Sequence, residues 1–193
     1  MPYGTLALDA ISTSGNLTVT GDIAASGNLT TARGTVTSLT SRTAQATTSG
    51  TSVQFTEIPS WVQRITVTLA GVSAAAGSNI QIRIGTGNTL VTSGYNTVYA
   101  SIQNAASPGL AAVTDCIGLC FLTAAASAAS GIVTIAKQSG NTWVATTSCT
   151  RTGNEVVLQQ AAGSITLSGS LDIVGIGLSA STFDAGSVNI MYE

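Results

Sequence analysis

From Thr51 onward, apolar and polar side chains alternate along the chain. Val53 and Phe55 flank Gln54, Ile65, Val67 and Leu69 alternate with Arg64, Thr66 and Thr68, and Ile80, Ile82 and Ile84 enclose Gln81 and Arg83. A period of two puts the apolar set on one face of a pleated sheet and the polar set on the other. Further strands are predicted at 97–103, 116–122, 132–137, 142–147, 155–159, 164–167, 172–178 and 188–192, most of them separated by clusters of Gly, Asn, Asp or Ser. The composition of 119–129 also suits a short helix; a buried strand followed by an Ala/Ser loop is preferred. Many short strands at this spacing predict an all-β fold, a jelly-roll-like β-sandwich over residues 51–193.

The first fifty residues follow another rule. Ile11-Ser12-Thr13-Ser14-Gly15-Asn16-Leu17-Thr18 recurs twelve residues later as Ile23-Ala24-Ala25-Ser26-Gly27-Asn28-Leu29-Thr30. Each unit couples a Gly-Asn turn signal to a short apolar or β-branched run. One Ile and one Leu per unit cannot close a core, so the unit must lie against a neighbouring repeat, another chain or another protein. Residues 1–50 are therefore expected to form an extended arm that docks through Ile11, Leu17, Ile23 and Leu29, with 40–50 as a polar hinge.

Charge is unusually sparse. Charged residues make up 7% of the chain and hydrophobic ones 44%, with a net charge of −2. Thr, Ser, Ala and Gly stand where Lys and Glu usually do, and such a surface is poorly protected against association. Much of it is expected to be covered by copies of the chain or by a larger assembly. The cations Arg33, Arg42, Arg64, Arg83, Lys137 and Arg151 are scattered, whereas phosphate binding needs them clustered, so no nucleic-acid partner is expected. The start, Met1-Pro2-Tyr3-Gly4, carries no signal-peptide pattern, and the longest apolar stretch, 116–129, is shorter than the ~20 residues of a membrane helix. A soluble chain made in the cytoplasm is expected, with no membrane partner.

Much chemistry is missing from the sequence. With no histidine anywhere, Ser-His-Asp and Cys-His arrangements are impossible, and no catalytic, cofactor or metal residues are assigned. Three cysteines, Cys116, Cys120 and Cys149, are odd in number, which argues against a disulfide framework and for small buried hydrophobes. The stretch Gly85-Thr86-Gly87-Asn88-Thr89-Leu90 lacks the third glycine of a nucleotide-binding loop and reads as a hairpin. Asp172 and Asp184 are the best candidates for a sugar-hydrolysing carboxylate pair, although each also reads as a turn residue. Trp61, Trp143, Tyr95 and Tyr99 would be the material for a sugar-stacking platform, against the commoner role of packing.

The segment 49–73 contains Ser49-Gly50-Thr51-Ser52, then Phe55, then Ile58-Pro59-Ser60-Trp61 and an alternating strand with Arg64. Thr92-Ser93-Gly94-Tyr95, Asn141-Thr142-Trp143-Val144 and the ending Phe183-Asp184-Ala185-Gly186 through Glu193 extend the pattern over most of 50–193. The pattern resembles a domain of tailed-phage and prophage proteins labelled tail-fibre or virion structural proteins. The opening Gly4-Thr5-Leu6 and the Gly-Asn-Leu-Thr units are similar to small virion proteins of cyanobacterial phages. The resemblance implies a non-enzymatic structural role in the virion, assembled in the host cytoplasm. The short arm leans toward a trimeric jelly-roll cement protein whose partner is the major capsid protein lattice. The alternative is a short tail fibre or adaptor, with tail proteins or host surface sugar as partners.

Overall fold

The computed structural model describes residues 29–31, 34–36, 39–103, 109–153 and 155–193, and divides the chain into two units, Met1–Thr37 and Ser38–Glu193. In the first unit, β1 (Leu29–Thr31) and β2 (Gly34–Val36) pair antiparallel. Ile11, Leu17 and Ile23 lie outside the described residues, and Leu29 opens β1, paired with Val36.

The second unit holds two packed antiparallel sheets. The smaller contains β5 (Ser52–Phe55), β7 (Ser78–Thr86), β8 (Thr89–Leu90), β11 (Gly118–Leu122) and β15 (Ile173–Leu178). The larger contains β3 (Thr40–Ser41), β4 (Gln45–Ala46), β6 (Arg64–Ala74), β9 (Asn96–Gln103), β10 (Gly109–Val113), β12 (Ala128–Ser139), β13 (Thr142–Thr152), β14 (Val157–Thr166) and β16 (Phe183–Tyr192). The predicted alternation is realised: Ile65, Val67 and Leu69 of β6 and Val53 and Phe55 of β5 are buried, and so are Ile80, Ile82 and Ile84 of β7. Their side chains meet Val133, Ile135, Val174, Ile176 and Ile190 in one core between the sheets.

The chain passes from sheet to sheet in a set order. Along the sequence β4, β6, β12 and β16 belong to the larger sheet, and β5, β7, β11 and β15 to the smaller. In space they lie β4-β16-β6-β12 and β5-β15-β7-β11. This interleaved order is that of a jelly roll, in which two Greek keys fold over one another. Two insertions depart from the plain form. β13 and β14 follow β12, and β9 and β10 join them, so that the larger sheet runs on as β12-β13-β14-β9-β10. The smaller sheet stops at β11, whose contacts reach β12, β13 and β14.

Several expectations need correction. Residues 40–50 are not a hinge: β3 and β4 pair with β16, and the Thr47 hydroxyl donates to the Ala185 carbonyl at 2.8 Å. The compact unit accordingly begins at Ser38 rather than at residue 51. The strands expected at 155–159 and 164–167 are one continuous β14, and the turn expected at 184–186 is a bulged part of β16. Gly186 sits there at φ 97°, where an added Cβ would fall on the Gly71 backbone. The hairpin expected at 85–90 is present. Its two turn residues, Gly87 and Asn88, both have positive φ (62° and 55°), the signature of a tight type I′ turn. No described residue of 119–129 is helical.

Candidate functional site

Widening the sheet creates a broad outer face, turned away from the core. Its side chains fall in rows across the strands. One row runs Thr68, Ile132, Ser148, Gln160, Ala100, Leu110; the next runs Thr66, Thr134, Thr146, Ala162, Val98, Ala112. On one side lie Ser130, Thr150, Leu158 and Ile102, and on the other Arg64, Ala136, Val144, Ser164 and Asn96. Arg64 is the one charged residue in these rows, and it pairs with Glu193 at the margin. Nine large apolar side chains are exposed among the described residues, and six of them are on this face: Val98, Ile102, Leu110, Ile132, Val144 and Leu158. Leu110 is 72% exposed. Between β9, β10 and β13 the face dips into a shallow depression of about 340 Å³, lined by Val98, Ala100, Leu110, Thr146, Gln160 and Ala162 among others. Apart from Arg64 at the margin these rows carry no charge, and their large apolar side chains are set among Thr, Ser, Ala, Gln and Asn, with Leu158 directly beside Ile102.

Behind this face, the inner side is polar at unusual points. Gln159 is buried, and its side-chain amide pairs with the backbone of Phe121, accepting from the amide at 2.6 Å and donating to the carbonyl at 3.1 Å. It thereby occupies the edge of β11 as a neighbouring strand would. Arg151, 2% exposed, reaches Glu155 four residues on. Tyr99 packs on Phe121 with the rings tilted and their centroids 4.5 Å apart.

The cysteine reading is overturned in part. Cys120 of β11 and Cys149 of β13 form a disulfide, with Cα atoms 6.6 Å apart. Both occupy inward-facing positions on strands of opposite sheets, so their side chains meet across the sandwich; that separation suits a bridge. Gly131 makes room beside it, since a Cβ there would collide with Ser148 and Cys149. Cys116 is the buried free thiol. Burial, with Asp115 beside it, pushes its pKa from the ordinary 9.0 to about 12. Burial likewise lifts Tyr95 from 10.0 to about 12, although its hydroxyl accepts from the Ile84 amide and faces the Ile84 and Val91 carbonyls. Well below pH 9 both groups are neutral in either state. Above it, the unfolded chain ionises first, so stability is full below pH 9 and is lost as pH rises toward 12. Urea midpoints are expected to be flat from pH 7 to about 8.5 and to fall steadily beyond; a midpoint that rises above pH 9 contradicts this.

The candidate carboxylates are not brought together. Asp172 immediately precedes β15 and accepts from the Asn88 amide at 3.1 and 3.2 Å, holding the hairpin turn. Asp184 is beyond the other end of β15 and accepts from the Ser73 hydroxyl. A six-residue strand spans ~20 Å, about twice the widest spacing of a glycosidase pair. Nor do the four aromatics form a platform. Trp143 and Tyr95 are buried, Tyr99 packs on Phe121, and Trp61 lies against Tyr192 with centroids 5.9 Å apart. Among the described residues no cluster of three or more His, Cys, Asp or Glu is placed to hold a metal, and no helix is long and apolar enough to cross a membrane. What defines this molecule is a jelly-roll sandwich broadened on one side into an uncharged sheet face. No known protein family, curated protein or solved structure matches the chain.

Proposed function

We propose that this chain is a non-enzymatic structural component of a tailed-phage particle. In this reading it acts as a homotrimeric decoration or cement protein that bridges major capsid protein subunits and stabilises the head. The observation that carries the reading is the uncharged, partly apolar outer face of the widened sheet, which suits a protein that spends its working life in an assembly. The jelly-roll strand order and the sequence resemblance over most of 50–193 support it, although a fold alone assigns no function. The arm is the proposed attachment, with Ile11, Leu17, Ile23 and Leu29 as anchors. Each aliphatic side chain contributes roughly 1.5–3 kcal/mol when fully buried, and three arms on one trimer act together through effective concentration.

Copy number tests the role. A cement protein is expected to stain in proportion to the major capsid protein on a gel of purified particles, at hundreds of copies. A faint band, at tens of copies or fewer, overturns the decoration role in favour of a short fibre or adaptor. Deleting residues 1–34 is expected to leave the sandwich folded and to abolish incorporation into particles. Normal incorporation of the shortened chain would remove the arm from the account.

A further inference from the structure

The edges of the two sheets are finished in different ways. β11 is capped at Phe121 by the Gln159 side chain. On β5, the Gln45 side chain donates to the Gln54 carbonyl at 3.3 Å. At one end of the larger sheet, β3 and β4 are two-residue strands interrupted by Arg42, Thr43 and Ala44. These are the usual protections of an edge: short, broken or covered strands. β10 at the other end has none of them. It is five residues long, Gly-Leu-Ala-Ala-Val, without charge or proline, and Gly109 to Ala112 are exposed. It pairs with β9 on one side, and no strand among the described residues takes the other. Such an edge invites another strand or chain.

The six exposed apolar side chains of the outer face all lie on the part of the sheet that this edge bounds, from β12 to β10. We infer that this half of the face, together with the open β10 edge, is the surface on which a second copy of the chain packs. The inference rests on the assembly reading above and names the surface that reading requires. Its area fits. Five strands at ~4.8 Å and four rows at ~6.7 Å give about 650 Å² of flat face, near the roughly 800 Å² that each partner contributes to a stable interface. Its charge fits a copy better than a foreign partner. A face without charge offers no potential for a differently charged protein to match, and a neighbouring copy of this charge-poor chain can cover it with no like charges opposed. Threonine and serine hydroxyls between the apolar groups can exchange hydrogen bonds across the contact.

The test uses the full-length protein at tens of micromolar. Light scattering is expected to give a multiple of the 19.2 kDa chain mass for the native sequence. Replacing the cross-strand neighbours Ile102→Lys and Leu158→Lys together is expected to reduce it to a single chain mass, with an unchanged far-ultraviolet circular dichroism spectrum. Met191→Lys, on β16 at the opposite side of the same face, is expected to leave the mass alone. A double variant that keeps the native mass overturns the surface while the assembly reading stands. Dissociation by Met191→Lys overturns it too, by placing the contact elsewhere. A native protein that is monomeric removes the assembly reading and this inference with it. Hydrogen exchange on the native protein gives a check free of substitutions. The amides of 109–113 are expected to exchange more slowly when assembled than when diluted to monomer, and equal rates overturn the proposal.

Discussion

Replacing Cys120 and Cys149 together by alanine is expected to lower the unfolding free energy by about 3–4 kcal/mol. The bridge closes a loop with a sequence separation of 29 residues, and the chain-entropy description assigns a loop of that length about this much restriction of the unfolded ensemble. The bridge also joins the two sheets where the smaller one ends, since β11 is its edge strand. Losing it removes the covalent tie between β11 and β13. Urea unfolding without reductant measures the effect. A difference below about 1 kcal/mol would mean that the two sulfurs are not bonded in the folded protein or that the tie is redundant.

An effect of similar size is expected at Ile82. It is completely buried in the middle of β7, with Gly118 of β11 opposite on one side and Ile176 of β15 on the other. Its strand is hydrogen-bonded along both edges, so the backbone cannot close over a void. Isoleucine-to-alanine changes in such sites cost 2–5 kcal/mol, more where the surroundings cannot relax. Ile82→Ala is expected in the upper half, about 3–5 kcal/mol, against a near-neutral Ile132→Ala on the outer face, both measured on protein diluted to the single chain. Equal effects at the two positions would contradict the assignment of inner and outer faces.

The sandwich was legible wherever one strand face is apolar and the other is not. β6 and β7 announce themselves by strict alternation. β3, β4 and β10 do not. Gln45-Ala46 and Thr40-Ser41 are too short and too polar to show a period, and their place is set by pairing with β16, more than a hundred residues away. In β10, Leu110-Ala111-Ala112-Val113 carries no alternation because its outer face is itself apolar. The same cause hid the outer face as a whole. Val98, Ile102, Val144 and Leu158 sit at positions where an alternation rule expects polar groups, and those exceptions were the signal available. The disulfide was hidden differently. Cys149 falls in the inward register of Trp143, Ala145 and Thr147, and Cys120 in that of Gly118 and Leu122, but the meeting of β11 with β13 is a property of the tertiary fold. The odd cysteine count then pointed away from a bridge, and Cys116 is the remainder.

The virion role is tested most directly by locating the chain on the particle. Gold-labelled antibody against residues 51–193, applied to intact particles in the electron microscope, is expected to decorate the head over its whole surface. Label confined to the tail or its tip would contradict the cement role, and particles that carry no label at all would contradict a structural role on the virion surface.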